Sequence, residues 1–266
     1  MPKIELIQGD CLEVMKDIPD KSIDMILTSP PYDNLRTYNG SLNWGEHIWK
    51  PVIQELFRVV KDGGVVVWVV GDATIKGSEP GTSFNQALYF KDVGFNLHDT
   101  MIYKKTGCPF PEQNRYYPIF EYMFVLSKGK PKTTNLIKDR NNIYAGAKVA
   151  RKNHERKVDG SVKENSAQRI DPDRRRKDVG VRYNIWEITS SGNAKSGTGN
   201  HPAIFPEKLA EDHIVSWSNE GDTILDPFAG SGTVGKMAKQ LNRNCILIEK
   251  DPEYFKIAGK RINENL

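Results

Sequence analysis

The chain has 266 residues, of which 38% are hydrophobic and 27% charged, the composition of a folded globular protein long enough to build a full core. Its longest clean apolar run, Val65–Val70, is six residues, well short of the ~20 that a membrane-spanning helix needs. Three scattered cysteines without CxxC spacing argue against a disulfide framework or a zinc site.

The amino-terminal MPKIELIQGD carries charges where a signal peptide has its apolar stretch, so the expected location is cytoplasmic, with reduced thiols. The net charge of +4 is uneven: Lys128 to Arg182 holds 17 Lys/Arg against 7 Asp/Glu, a local +10 that leaves −6 for the rest. Such a segment suits a polyanion partner, or else a solvated linker.

In chain order, 4–7 is a short apolar strand, and Asp10 can cap a short helix carrying Leu12, Val14 and Met15. A second strand over 23–27 runs into Thr28-Ser29-Pro30-Pro31-Tyr32, where two prolines end the ladder. The spacing of Ile48, Val52, Ile53, Leu56, Val59 and Val60 predicts a helix over about 48–60, with Gly63-Gly64 as its C-cap. Val65–Val70, mostly β-branched, reads as a strand buried on both faces. A helix near 84–93 stops at Gly94, and strands follow near 97–103 and 122–126.

Residues 128–200 differ. The piece 151–178 has almost nothing to bury and is expected to lack stable structure alone, 190–200 is Gly/Ser-rich, and 183–188 is one short strand. Pro206 is placed as the first residue of a helix carrying Leu209, Ile214 and Val215. A strand at 223–225, a glycine-rich turn, a helix from Thr233, a strand at 245–248 and a helix from Pro252 complete the chain. Strand–helix alternation on both sides of the basic stretch predicts an α/β fold, a mostly parallel sheet with helices on both faces. The predicted domains are 1–127 joined with 201–266, and an inserted region at 128–200. Ligands of such sheets bind at the carboxyl ends of the strands, where both unusual loops, 28–32 and 226–235, fall.

The turn Asp226-Pro-Phe228-Ala-Gly230-Ser-Gly232-Thr233-Val-Gly235-Lys236-Met237 satisfies both GxGxxG and GxxxxGK. A phosphate loop needs Ser or Thr after the lysine, and Met237 is a poor magnesium ligand. The dinucleotide pattern needs an acid about 20 positions on, and Glu249 stands directly after CILI, able to accept from ribose hydroxyls. Asp226 at the mouth of the turn would repel a pyrophosphate and suits a cation. Together these features favour a nucleoside bearing a sulfonium, S-adenosyl-L-methionine, over a tight turn with a surface acid. The Ser29-Pro30-Pro31-Tyr32 loop supplies what methylation of an exocyclic base amine requires. The Ser29 hydroxyl oxygen and the Pro30 carbonyl can accept the two amine hydrogens, Pro31 holds that carbonyl rigid, and Tyr32 offers a face for stacking a base turned out of the duplex.

TSPPY together with DPFAGSGT, and the order of these blocks, resembles the DNA amino-methyltransferases that act on cytosine N4 or adenine N6, in the circularly permuted beta class. The resemblance covers residues 4–126 and 200–266. It implies a Rossmann-like methyltransferase fold with an inserted target-recognition region, and S-adenosyl-L-methionine as cofactor. By the same resemblance Asp10, His201, Phe205, Asp226, Phe228, Gly230, Gly232, Thr233 and Glu249 line the cofactor site, with Thr233 toward the cofactor carboxylate. Ser29 at the first catalytic position, where aspartate leans toward adenine, favours N4-cytosine. N6-adenine methylation and a non-catalytic nucleic-acid-binding protein of the same fold are the alternatives.

The expected partner is double-stranded DNA, held through Arg36, Lys148, Arg151, Lys152, Arg174, Arg175, Arg176 and Lys177. A cognate restriction endonuclease is a further expected partner, the expected assembly is a monomer or homodimer, and no histidine spacing indicates a metal.

Overall fold

The computed structural model describes residues 2–31, 44–107, 114–148, 154–164, 174–189 and 205–263. The elements, in order, are β1 (Ile4–Gln8), α1 (Cys11–Met15), β2 (Ile23–Thr28), α2 (Glu46–Val59), β3 (Val60–Val70), α3 (Thr82–Val93), β4 (Asn96–Lys105) and β5 (Phe120–Ser127). Four short strands follow, β6 (Arg140–Asn141), β7 (His154–Arg156), β8 (Val162–Glu164) and β9 (Val179–Gly180). The chain ends with β10 (Ile185–Ile188), α4 (Glu207–Trp217), β11 (Thr223–Asp226), α5 (Thr233–Gln240), β12 (Asn244–Glu249) and α6 (Pro252–Asn263).

Two compact units are present, residues 1–135 with 184–266, and residues 136–183. The larger unit holds an eight-stranded sheet in the order β1-β12-β11-β2-β3-β5-β4-β10, in which β5 alone runs against its neighbours. Period-2 alternation sends the side chains of β3 to opposite faces. Val65, Val67 and Val69 pack with Leu209, Ile214, Val234, Ala258 and Ile262 of α4, α5 and α6. Val66, Trp68 and Val70 pack with Met15, Trp49, Ile53, Leu56 and Phe90 of α1, α2 and α3. The expected doubly covered α/β sheet is therefore the fold observed. Each such buried apolar side chain contributes roughly 1.5–3 kcal/mol of transfer free energy.

Three local readings change. The pair Gly63-Gly64 does not cap α2: the helix ends at Val59 and the chain enters β3 at Val60 without a loop. Gly63, at φ 82°, lies inside the strand at an irregularity in the β2–β3 pairing, and its amide donates to the Lys128 carbonyl. The C-terminal end of α2 is instead held by the Lys128 ammonium, which donates to the carbonyls of Phe57 and Val60. Pro206 is the N-cap of α4 rather than its first helical residue. Within 151–178, β7 and β8 form a hairpin over an Asp159-Gly160 turn, so local turn chemistry orders that part.

Both ends of the smaller unit are bracketed by an anchored asparagine. The Asn135 amide nitrogen donates to Ser216 O and its side chain to Val215 O and Ser218 O. Asn184 donates to Thr100 O through its side chain and accepts from the Ile102 amide. Strand β10 then pairs in parallel with β4 as the sheet's edge. Among the described residues no helix is long and apolar enough to cross a membrane.

Candidate active site

Parallel neighbours in the sheet finish on the same side, so β1, β12, β11, β2 and β3 bring their carboxyl ends together. In spatial order these ends carry Asp10, Glu249, Asp226, then Thr28 with Ser29, then Asp72. Sequence distance is thereby collapsed: the Thr28 hydroxyl donates to Asp226 Oδ1 at 2.6 Å across 198 residues of chain.

Asp226 is 3% exposed. Its Oδ1 also accepts from the Phe228 amide at 3.1 Å. Burial pushes this carboxyl up to about 7, and the negative charge of Glu249 adds to the rise, while the Thr28 and Phe228 hydrogen bonds oppose it. Glu249 holds the turn itself, Oε2 accepting from Gly230 N at 2.7 Å and Oε1 from Asp251 N at 2.8 Å. Burial raises its pKa as well, and acceptor capacity remains on both oxygens. Asp10 caps α1 by accepting from Leu12 N at 3.0 Å, and its other oxygen meets Lys250 Nζ at 3.0 Å. Three of the rim's four acids, Asp10, Glu249 and Asp226, thus flank the glycine turn.

The turn between β11 and α5 needs its glycines. Gly230 and Gly232 have φ of 52° and 77°, and a Cβ on Gly232 would stand 2.9 Å from Ala258 Cβ. α6 therefore packs directly on the turn. Phe228 meets Trp44 edge to face at 5.5 Å and Trp68 at 6.3 Å between ring centroids. Trp68 lies opposite Thr28 in the β2–β3 register, so an aromatic cluster flanks the junction of the two loops. Thr233 is buried, and its hydroxyl accepts from Arg261 Nη1 at 2.9 Å.

Of the residues singled out from sequence, Ser29 is half-buried and Pro30 and Pro31 are buried at the end of β2. Phe205 packs against the core face of α4–α6. In the smaller unit, Lys148 bridges to Arg175, and Arg174, Arg175, Arg176 and Lys177 are all exposed. Tyr32, Arg36, Arg151, Lys152 and His201 lie outside the described residues. The sequence reading missed Thr28 and Trp68 as neighbours of the turn and left Arg261 unremarked. Only the sheet order reveals the first two, and the third shows in sequence merely as a charge on the apolar face of α6.

A parallel α/β sheet with a glycine-rich turn and an acid-lined rim beside a Ser-Pro-Pro loop defines a nucleoside-binding group-transfer fold. Residues 23–260 match the DNA methylase family N6_N4_Mtase, and the chain belongs to that family of DNA amino-methyltransferases. It is 56% identical over 252 residues to the orphan methyltransferase M.BamHII of Bacillus amyloliquefaciens, covering 93% of this chain and 91% of that one. In fold it is similar to the cytosine-N4-specific PvuII DNA methyltransferase, with TM-score 0.70 and 22% identity over 100% of this chain and 88% of the other. It is also similar to the M1.HpyAVI–SAM complex, with TM-score 0.66 and 24% identity over 98% and 100%.

Proposed function

We propose that the chain methylates the exocyclic N4 amine of cytosine in double-stranded DNA, with S-adenosyl-L-methionine as methyl donor. The observation that carries this reading is the Thr28–Asp226 hydrogen bond, which locks the start of the Ser-Pro-Pro loop to the start of the glycine turn. A base amine and a methyl donor bound at these loops share one rim. The residues fit this cofactor: Glu249 raises the cost of ionising Asp226, so a cationic ligand between them lowers that cost. When bound, S-adenosyl-L-methionine supplies an electrophilic methyl group on a sulfonium.

In this reading Asp226, Phe228, Gly230, Gly232, Thr233, Glu249, Asp10, His201 and Phe205 bind the cofactor. The Ser29 Oγ and the Pro30 carbonyl accept the two amine hydrogens and pull the nitrogen out of conjugation, so that its lone pair points out of the ring plane. Pro31 keeps that carbonyl in place, and Tyr32 stacks on the extruded base. The enzyme gains rate mainly by position, and the amine proton leaves to water. Arg36, Lys148, Arg151, Lys152 and Arg174–Lys177 hold the phosphate backbone, with 128–200 as the target-recognition region. Serine rather than aspartate at position 29 favours cytosine.

Mass spectrometry of nucleosides from DNA incubated with the enzyme and cofactor tests the reading. N4-methylcytosine is expected. N6-methyladenine would overturn the base assignment, and unmodified DNA the activity. Ser29→Ala is expected to lower turnover about 100-fold with cofactor affinity nearly unchanged.

A further inference from the structure

Arg261, near the end of α6, is 1% exposed. A guanidinium that deep must be paired, and a pair serving stability alone is commonly matched or bettered by apolar packing. Its contacts are concentrated on the glycine turn. Nη1 reaches Ser231 O at 2.9 Å, Ser231 Oγ at 2.8 Å and Thr233 Oγ1 at 2.9 Å. Nη2 donates to Glu207 Oε1 at 2.8 Å, and the same oxygen accepts from Lys236 Nζ at 2.8 Å. Nε, though buried, has no hydrogen-bond partner among the described residues.

Two consequences follow from donor counting and charge. A hydroxyl has one proton and two lone pairs. The two Nη1 protons are shared among Ser231 O, Ser231 Oγ and Thr233 Oγ1, so a lone pair of each hydroxyl faces Arg261 and both hydroxyl protons are turned away from it; neither hydroxyl donates to a group among the described residues. Burial raises the Glu207 carboxyl, but Lys236 and Arg261 outweigh this and hold it below its ordinary value. Glu207 is therefore a single anion shared by two cations, and the triad keeps a net positive charge at the amino end of α5. The acids flanking the turn make none of these contacts: Asp226 and Glu249 bond to Thr28 and to the backbone of Phe228, Gly230 and Asp251, and Asp10 to Leu12 N and Lys250. The turn thus has separate acidic and cation-backed hydroxyl partners.

We infer that Arg261 is a positioning residue for the carboxylate of the methyl donor: it fixes the Ser231 and Thr233 hydroxyls as donors and supplies the positive field behind them. This rests on the cofactor reading above. Isothermal titration calorimetry of the full chain, with S-adenosyl-L-methionine and its decarboxylated analogue, separates this role from a purely structural brace. Arg261→Met is expected to weaken the carboxylate-bearing ligand about tenfold, charge-assisted hydrogen bonds being the strong ones, and the decarboxylated ligand less than about twofold. Arg261→Lys keeps a charge for Glu207 but loses the fork, and is expected to show the same selective loss. It carries the test if the methionine variant does not fold.

Thr233→Val in the wild-type background is expected to reproduce part of the loss, and combined with Arg261→Lys to add less than the sum of the two. Equal weakening of both ligands, or no weakening of either, overturns the inference. Wild-type protein that binds neither ligand overturns the cofactor reading itself.

Discussion

The two units are ordered by different physics. In the larger, both faces of the sheet are sealed by apolar side chains, and residues such as Leu27, Leu56, Val67 and Leu247 are fully buried. In the smaller, no side chain of 136–148, 157–161 or 174–183 is buried. Its order comes from backbone and side-chain hydrogen bonds: Asn142 N to Asp178 O at 2.8 Å, Asn142 Nδ2 to Lys177 O at 2.7 Å, and Arg176 N to Ala147 O at 2.9 Å. Arg140 lies over the ring of Tyr183 at 4.6 Å, and Arg182 forks onto Asp139. A scaffold that holds a cofactor in place needs a dense interior. A segment that meets a polyanion needs its cations outside, and hydrogen bonds can shape it without covering them.

The largest effect that would sharpen this contrast is on stability. Leu56→Ala is expected to cost the protein about 2–5 kcal/mol in urea unfolding, whereas Ile143→Ala, at a position 91% exposed, should change it by less than about 0.5 kcal/mol. A comparable loss at both positions would break the distinction.

Next comes a site where the larger unit works against its own stability. Asp226 holds its proton more tightly folded than unfolded, with a pKa near 7 against an ordinary 3.8. Its contribution is therefore full at low pH and is lost as pH rises toward 7. Asp226→Asn removes that loss. The variant should be more stable than wild type at pH 8, by a few kcal/mol at most at ~1.4 kcal/mol per pKa unit, and unfold at a higher temperature. Scanning calorimetry should show the gap opening above about pH 4 and levelling off past pH 7. The same variant should bind S-adenosyl-L-methionine roughly tenfold more weakly.

The smallest effect concerns the smaller unit alone. Replacing Arg175, Arg176 and Lys177 by alanine should reduce the salt slope of DNA affinity by up to about 3, at ~0.9 per phosphate contact. Fluorescence anisotropy across a salt series measures it, with cofactor affinity expected to stay unchanged. A shift in cofactor affinity would show that the two units do not work separately.

Much of the scaffold was legible in sequence because its signals are local. Helical spacing marked α2, the unbroken β-branched run marked β3, Asp10 marked the cap of α1, and Gly94 marked the end of α3. Gly63-Gly64 misled because a glycine pair after an amphipathic helix looks like a cap. Here pairing with β2 and with the Lys128 backbone draws the chain straight into a strand. The glycine turn and the Ser-Pro-Pro loop were visible as motifs, but their closeness was not. The bond from Thr28 to Asp226 and the reach of Arg261 to Ser231 and Thr233 depend on the order of strands and the packing of α6, which no local pattern encodes.

The anchors at Asn135 and Asn184 have an evolutionary consequence. Each bonds to backbone and side-chain groups of the scaffold, Asn135 also to Asn219 and Asn184 also to Asp99, and none of these partners lies between them. That stretch is free to be rewritten, lengthened or traded for another while the methyl-transfer machinery stays intact. In the proposed reading, where this stretch belongs to the target-recognition region, new DNA specificities arise by grafting between two fixed pegs rather than by redesigning the enzyme.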